Sequence, residues 1–127
     1  MPTTPPRRSG FGSRIGLPDA LRGIRVAWTS SRNLRIEGLI ALLALTASLL
    51  LSVSPIPILT CIALVMSLEI VNSAIERSLD LSSPDTHPLA RDAKDMAAGA
   101  VLLAALLSVA VGLIHLGPPL WAFLTKG

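Results

Sequence analysis

Three long apolar runs account for most of this 127-residue chain. They cover residues 36–53, 58–79 and 96–116. Each is close to the roughly 20 residues that a helix needs to cross the hydrocarbon core of a bilayer. Within lipid, a single segment can pair its own backbone N–H and C=O groups only by forming a helix. The sequence therefore predicts an all-α, multi-pass membrane protein with three transmembrane helices.

Prolines and arginines predict how these spans are arranged. Ser54-Pro55-Ile56-Pro57 separates the first two runs and predicts a tight turn between antiparallel neighbours. Basic residues beside a span stay on the cytoplasmic side and bind anionic lipid. Seven of them precede the first run: Arg7, Arg8, Arg14, Arg22, Arg25, Arg32 and Arg35. A basic arm can also bind nucleic acid, but its place beside a span favours lipid, and we predict no nucleic-acid partner.

The part of the chain before the first span divides into two segments. Residues 1–16 are rich in Pro, Thr, Ser and Arg and predict a disordered basic tail. Residues 17–33 carry apolar side chains at helical spacing, namely Leu17, Leu21, Ile24 and Trp28. This pattern predicts an amphipathic helix in the membrane interface, although a surface helix of a soluble domain would look the same.

The end of the third run is marked by Gly117-Pro118-Pro119. Proline lacks the N–H that would continue a helix, so the sequence predicts a domain over residues 17–117 and a C-terminal tail over residues 118–127. Three spans form a thin bundle with little interior. Polar groups on one span would need shielding that a single copy cannot provide, and we therefore expect a homo-oligomer.

The second run holds polar residues in its latter half, where lipid should exclude them. Glu69, Asn72, Glu76 and Asp80 are spaced i, i+3, i+7 and i+11, which places them on one face of a helix. Carboxylates at bilayer depth are costly, and they mark functional sites or paired networks. This acidic face is the strongest pointer to function in the sequence.

The acidic face has the parts that phosphoryl transfer needs. Glu76, near the cytoplasmic surface, suits a hard cation such as Mg²⁺, and the deeper Glu69 suits a general base. Lys94 and Asp95, at the start of the third span, add a cation for phosphate and another anion. The sequence contains no G-x-x-x-x-G-K-[ST] loop and no kinase Gly-rich loop. A small transporter or a structural polar network between subunits would explain the same face.

The spacing of these motifs resembles a known family. Glu69-x-x-Asn72-Ser73-Ala74-Ile75-Glu76-x-x-x-Asp80, His87-x-Leu89 and Ala93-Lys94-Asp95-Met96 are similar to the signature of the bacterial integral-membrane diacylglycerol kinases, which include the undecaprenol kinases. The resemblance covers roughly residues 17–116. Residues 83–90 and 97–102 look more like the undecaprenol kinase branch.

The resemblance implies a homotrimer in the bacterial inner (plasma) membrane, with active sites facing the cytoplasm. ATP, with Mg²⁺, would phosphorylate the hydroxyl of a membrane lipid, either undecaprenol or diacylglycerol. By position in the motif, Glu69 and Asn72 match catalytic residues and Glu76 matches a metal ligand. The residues that match nucleotide contacts are Glu76, Asp85, Thr86, His87, Lys94 and Asp95.

One position departs from the family pattern. The family usually places a glutamate, as a second metal ligand, just before the segment that reads Arg-Asn-Leu-Arg, and here that position is Ser31. A serine hydroxyl is neutral and binds Mg²⁺ more weakly than a carboxylate does. Glu37 and Asp19 are the acidic residues before the second span that could compensate. A non-catalytic or altered-function membrane oligomer therefore remains the alternative.

Overall fold

The computed structural model describes residues 16–82 and 87–126. This part of the chain folds into four helices: α1 (Leu17–Ser30), α2 (Arg32–Leu50), α3 (Ile56–Ser82) and α4 (Pro88–Thr125). α2, α3 and α4 are each long and apolar enough to cross a membrane. The prediction of an all-α protein with three candidate spans is therefore confirmed. The predicted disordered tail falls almost entirely on residues outside the described ranges.

Ser31 separates the first two helices. Its backbone is extended, with φ −88° and ψ 120°, so α1 ends at Ser30 and does not continue to residue 33. The same residue caps α2, because the backbone N–H of Leu34 donates to its side-chain oxygen over 3.1 Å. Serine is favoured at this position because it satisfies an N–H that has no partner within the helix.

α1 packs lightly against α2 and α3. Ala27 is its one buried residue, whereas Leu17, Leu21 and Ile24 are more than half exposed. The first three members of the apolar stripe that the sequence predicted therefore face away from the rest of the chain, whereas the last member, Trp28, lies against Gly38 of α2. Its location in the membrane interface stays a prediction.

α3 is the central helix, because most of the contacts between helices involve it. The turn before it is held by two side chains. Ser48 is fully buried and donates to the backbone oxygen of Val53 over 3.1 Å. The His115 ring, on α4, lies 2.8 Å from the backbone oxygen of Ser54. These contacts join the end of α2 and the turn before α3 to α4, at the end of α3 opposite the acidic residues.

The pattern of buried and exposed residues in this chain is the reverse of that in a water-soluble protein. Most large apolar side chains are exposed, including Leu43, Leu103 and Ile114. By contrast, Ser48, Glu69 and Asn72 are among the few buried residues. Such a surface must be covered by lipid or by another protein chain, because apolar area of this extent is unfavourable in water.

The prediction that Gly117-Pro118-Pro119 ends the third long helix is wrong. α4 continues through both prolines to Thr125, so most of the predicted C-terminal tail is helical. Proline has a φ that suits a helix, but its ring crowds the carbonyl four residues earlier and it lacks the N–H that would donate to that carbonyl, here those of Ile114 and His115. Membrane helices tolerate this loss when other groups satisfy the carbonyls. The apolar residues after the prolines extend the helix further.

The contact between Trp28 on α1 and Gly38 on α2 predicts an effect of substitution at Gly38. A Cβ added at Gly38 would lie 2.7 Å from a ring carbon of Trp28, which is too close for either group. We expect Gly38→Ala to displace the ring and to lower stability by about 1–3 kcal/mol. The measurement is the emission maximum of Trp28 in a Trp121→Phe background.

Gly23→Ala is the matched control, because nothing lies within 4 Å of a Cβ added on that part of α1. It should leave the emission of Trp28 unchanged. If Gly38→Ala also leaves the emission unchanged, the packing of Trp28 on α2 is not as described.

Candidate active site

A polar cavity of about 280 Å³ lies where the junction of α1 and α2 meets the polar end of α3. Residues 30–33 line one side of it. The other side is formed by Glu69, Asn72, Ser73, Glu76, Arg77 and Asp80. The face that the sequence predicted on α3 is thus present, and all four of its members line a single cavity.

Glu69 is the deepest of these side chains. It is only 3% exposed, and the Ser31 hydroxyl donates to its Oε1 over 2.9 Å. A buried carboxylate is stabilised by such a donor, because it would otherwise lose its hydration without compensation. The residue that departs from the family pattern therefore contacts the predicted base directly.

Asn72 lies one turn further along α3 and is 7% exposed. Its Nδ2 is 3.4 Å from Glu76 Oε1, which is a long hydrogen bond. Among the described residues, no donor reaches its buried Oδ1. A buried polar atom without a partner is rare in native proteins, and here a bound substrate can satisfy it.

Glu76 and Asp80 lie at the open end of the cavity, and both are exposed. Asp80 forms an ion pair with Lys94, which joins the end of α3 to the first turns of α4. Lys94 therefore lies beside a residue that lines the cavity, and its ammonium already has Asp80 as a partner; its contact with phosphate stays a prediction.

Two of the remaining predicted nucleotide contacts, Asp95 and His87, are not among the residues that line the cavity. Asp95 is largely exposed and lies 3.9 Å from Arg91 on its own helix. His87 caps α4, because its Nδ1 accepts from the backbone N–H of Leu89 over 3.3 Å. Asp85 and Thr86 lie outside the described residues.

Glu37 and Asp19 do not line the polar cavity. Glu37 lies at a separate, apolar cavity of about 280 Å³ between α2, α3 and α4. Its Oε2 is buried and receives no hydrogen bond from the described part of the chain. Within the described part of the chain, neither of the two carboxylates that could compensate for Ser31 is among the residues that line the cavity.

Two arginines in the cavity were not assigned to the site from the sequence. Arg32 is the first residue of α2 and Arg77 follows Glu76 on α3. The sequence could have indicated them by position, because Arg32 directly follows Ser31 and Arg77 directly follows Glu76. A guanidinium group suits phosphate well, because its donors match two phosphate oxygens at once.

The acidic residues fit a weakly held magnesium ion rather than an enclosed metal site. Within residues 16–82 and 87–126, no three His, Cys, Asp or Glu side chains are grouped so that they could hold a metal together. Proteins commonly bind Mg²⁺ through one or two carboxylates, with substrate phosphates and water completing the shell. The exposed carboxylate of Glu76 is compatible with that mode.

Comparison with known proteins gives one family. The model of the prokaryotic diacylglycerol kinase family matches residues 19–116. A diacylglycerol kinase of Synechocystis sp. is 42% identical over 107 residues, covering 80% of this chain and 60% of the relative. A diacylglycerol kinase of Escherichia coli is 38% identical over 91 residues, covering 69% of this chain and 75% of the relative.

An undecaprenol kinase of Bacillus subtilis is 37% identical over 102 residues, covering 78% of this chain and 83% of the relative. The two kinds of kinase are thus nearly equal in identity to this chain, and identity alone does not separate the branches. The family match spans the polar face of α3, the junction at Ser31 and the start of α4. This chain belongs to the prokaryotic diacylglycerol kinase family, a family of lipid kinases.

Proposed function

We propose that this protein transfers the γ-phosphate of ATP to the hydroxyl of a membrane lipid at the cytoplasmic face of the bacterial inner membrane. The acceptor is undecaprenol or diacylglycerol, which are the substrates that the names of its relatives mention. The observation that carries the proposal is the polar cavity, in which a buried carboxylate, two exposed carboxylates and two arginines lie together.

Each residue of the cavity has a separate role in the proposed reaction. Glu69 takes the proton of the lipid hydroxyl as that oxygen forms a bond to the γ-phosphorus of ATP. The bond from this phosphorus to the oxygen shared with the β-phosphate breaks, and ADP leaves. Arg32 and Arg77 bind phosphate oxygens, and Asn72 Oδ1 accepts a hydrogen bond from the bound substrate.

Glu76 is the residue proposed to hold Mg²⁺, which would neutralise phosphate charge when bound. The nucleotide would extend toward the start of α4, where Lys94, Asp95 and His87 lie. Asp85 and Thr86 belong to the same proposal through their place in the motif. Lys94 would have to exchange its ion pair with Asp80 for phosphate.

The proposal includes a homotrimer whose subunits shield one another. The exposed apolar surface of the spans and the thin three-helix bundle support an oligomer. The basic residues before α2 support contact with anionic lipid on the cytoplasmic side. Each subunit would then lack the second metal-binding carboxylate that the family pattern places at position 31, unless a neighbouring subunit supplies one.

A non-catalytic role is the second candidate, and one observation favours it. Glu76 is the only proposed metal ligand, and Ser31, at the position of the second ligand in the family pattern, is already engaged by Glu69 and Leu34. The same arrangement could serve as a structural polar network or a small transporter.

The activity itself is the first test. Purified protein in detergent or lipid vesicles should transfer labelled phosphate from ATP to undecaprenol, to diacylglycerol or to both, when each lipid is offered separately with Mg²⁺. Absence of transfer to either lipid, while a related kinase is active in the same mixture, would mean that the non-catalytic candidate is correct.

Replacement of the proposed base should abolish transfer. Glu69→Gln keeps the size of the side chain and an oxygen that can accept from Ser31, but it cannot take a proton. We expect the rate to fall by about 10²–10⁴-fold with the oligomer unchanged in size. Asp19→Asn is the control, because Asp19 is an exposed carboxylate on α1 outside the cavity. Full activity in Glu69→Gln would remove Glu69 from this role.

Restoring a carboxylate at position 31 should change the magnesium requirement. Ser31 and Glu76 line the same cavity, so Ser31→Glu should lower the Mg²⁺ concentration for half-maximal activity severalfold, whatever its effect on the maximal rate. Thr29→Glu adds the same charge at an exposed position that does not line the cavity, and it should not change this concentration. An unchanged requirement in Ser31→Glu would place the metal elsewhere.

A further inference from the structure

The Ser31 hydroxyl is held between two helices. It donates its proton to Glu69 Oε1 over 2.9 Å, and its oxygen accepts from the backbone N–H of Leu34 over 3.1 Å. A hydroxyl has one proton to donate, and the hydrogen bond from Leu34 fixes the direction in which that proton points. Ser31 is therefore a fixed donor rather than a freely rotating one.

The carboxylate of Glu69 depends on this donor. Its side chain is 3% exposed, so water cannot compete strongly for it. Within residues 16–82 and 87–126, Oε1 is the Glu69 oxygen that receives a hydrogen bond, and Ser31 provides it. The contact joins residues that are 38 positions apart in the chain, so it holds the start of α2 against the middle of α3.

We propose that Ser31 is a positioning residue for the reaction: it holds Glu69 Oε1 so that Oε2 is left to accept the proton of the lipid hydroxyl. This inference rests on the proposed function, because it assigns Ser31 a role through Glu69. A general base must lie within about 2.6–3.2 Å of the proton donor, so a carboxylate rotating about its terminal bond would meet this geometry less often. Ser31 acts on the orientation of Glu69 and not on substrate binding.

Position 31 also caps α2, and the test must separate the two roles. Alanine removes both the cap and the donor. Glycine at the cap lowers stability by only about a few tenths of a kcal/mol, yet it too lacks the hydroxyl. Threonine keeps both functions. Since the backbone at this position has a negative φ, none of these residues is strained by it.

The experiment measures kcat and KM for ATP and for the lipid in Ser31→Ala, Ser31→Gly and Ser31→Thr, together with the melting temperature of each. We expect alanine and glycine to lower kcat about 10- to 100-fold with both KM values within about twofold, since one charge-assisted hydrogen bond is lost. Threonine should retain most of the activity. The melting temperature should fall more in the alanine variant than in the glycine variant.

Several results would overturn the inference. One is a wild-type kcat in Ser31→Gly. Another is a rise in KM with an unchanged kcat in the alanine and glycine variants. The third is a Ser31→Thr variant as slow as Ser31→Ala. Thr29→Val is the matched control, because the Thr29 hydroxyl donates only to backbone oxygens of its own helix, and its kinetics should not change. Inactive wild-type protein would refute the proposed function. Active wild type, inactive Glu69→Gln and fully active Ser31→Gly would refute the role of Ser31 alone.

Discussion

A carboxylate buried on a membrane-spanning helix needs a donor, and the hydrogen bond from Ser31 to Glu69 meets that need. Several features of the chain follow from it. α1 ends at Ser30 and the backbone of Ser31 is extended, so that the Ser31 hydroxyl can point toward α3. The cap on α2 uses the same oxygen, so the start of one helix and the polar face of another are fixed by a single side chain.

The spans and the polar face could be predicted because they depend on local periodicity. Length and apolar composition determine which segments can cross a bilayer, and the spacing of Glu69, Asn72 and Glu76 determines that they share one side of a helix. The contribution of residues 30–33 to the cavity could not be predicted in this way, because it depends on how the start of α2 approaches α3. No sequence period carries that information.

Two features of α4 depend on more than a single residue type. Pro118 and Pro119 were expected to end the third long helix, but a membrane helix can continue through proline when other groups satisfy the carbonyls that lose their donor, and the surrounding apolar residues remain favourable in the helix. His87 resembles a nucleotide contact by motif, and that role stays a prediction; its place directly before Pro88 also makes it the cap of α4. In both cases the sequence identified a special residue, and the local backbone determined its conformation.

The length of α4 indicates how deep the polar cavity lies relative to the bilayer. Its 38 residues extend over about 57 Å, almost twice the thickness of a bilayer's hydrocarbon core. If residues 96–116 occupy that core, the first two turns of the helix project into the headgroup layer, and the pair of Lys94 with Asp80 marks this level. The mouth of the polar cavity then lies at the one depth where a nucleotide dissolved in water and an alcohol dissolved in lipid can meet.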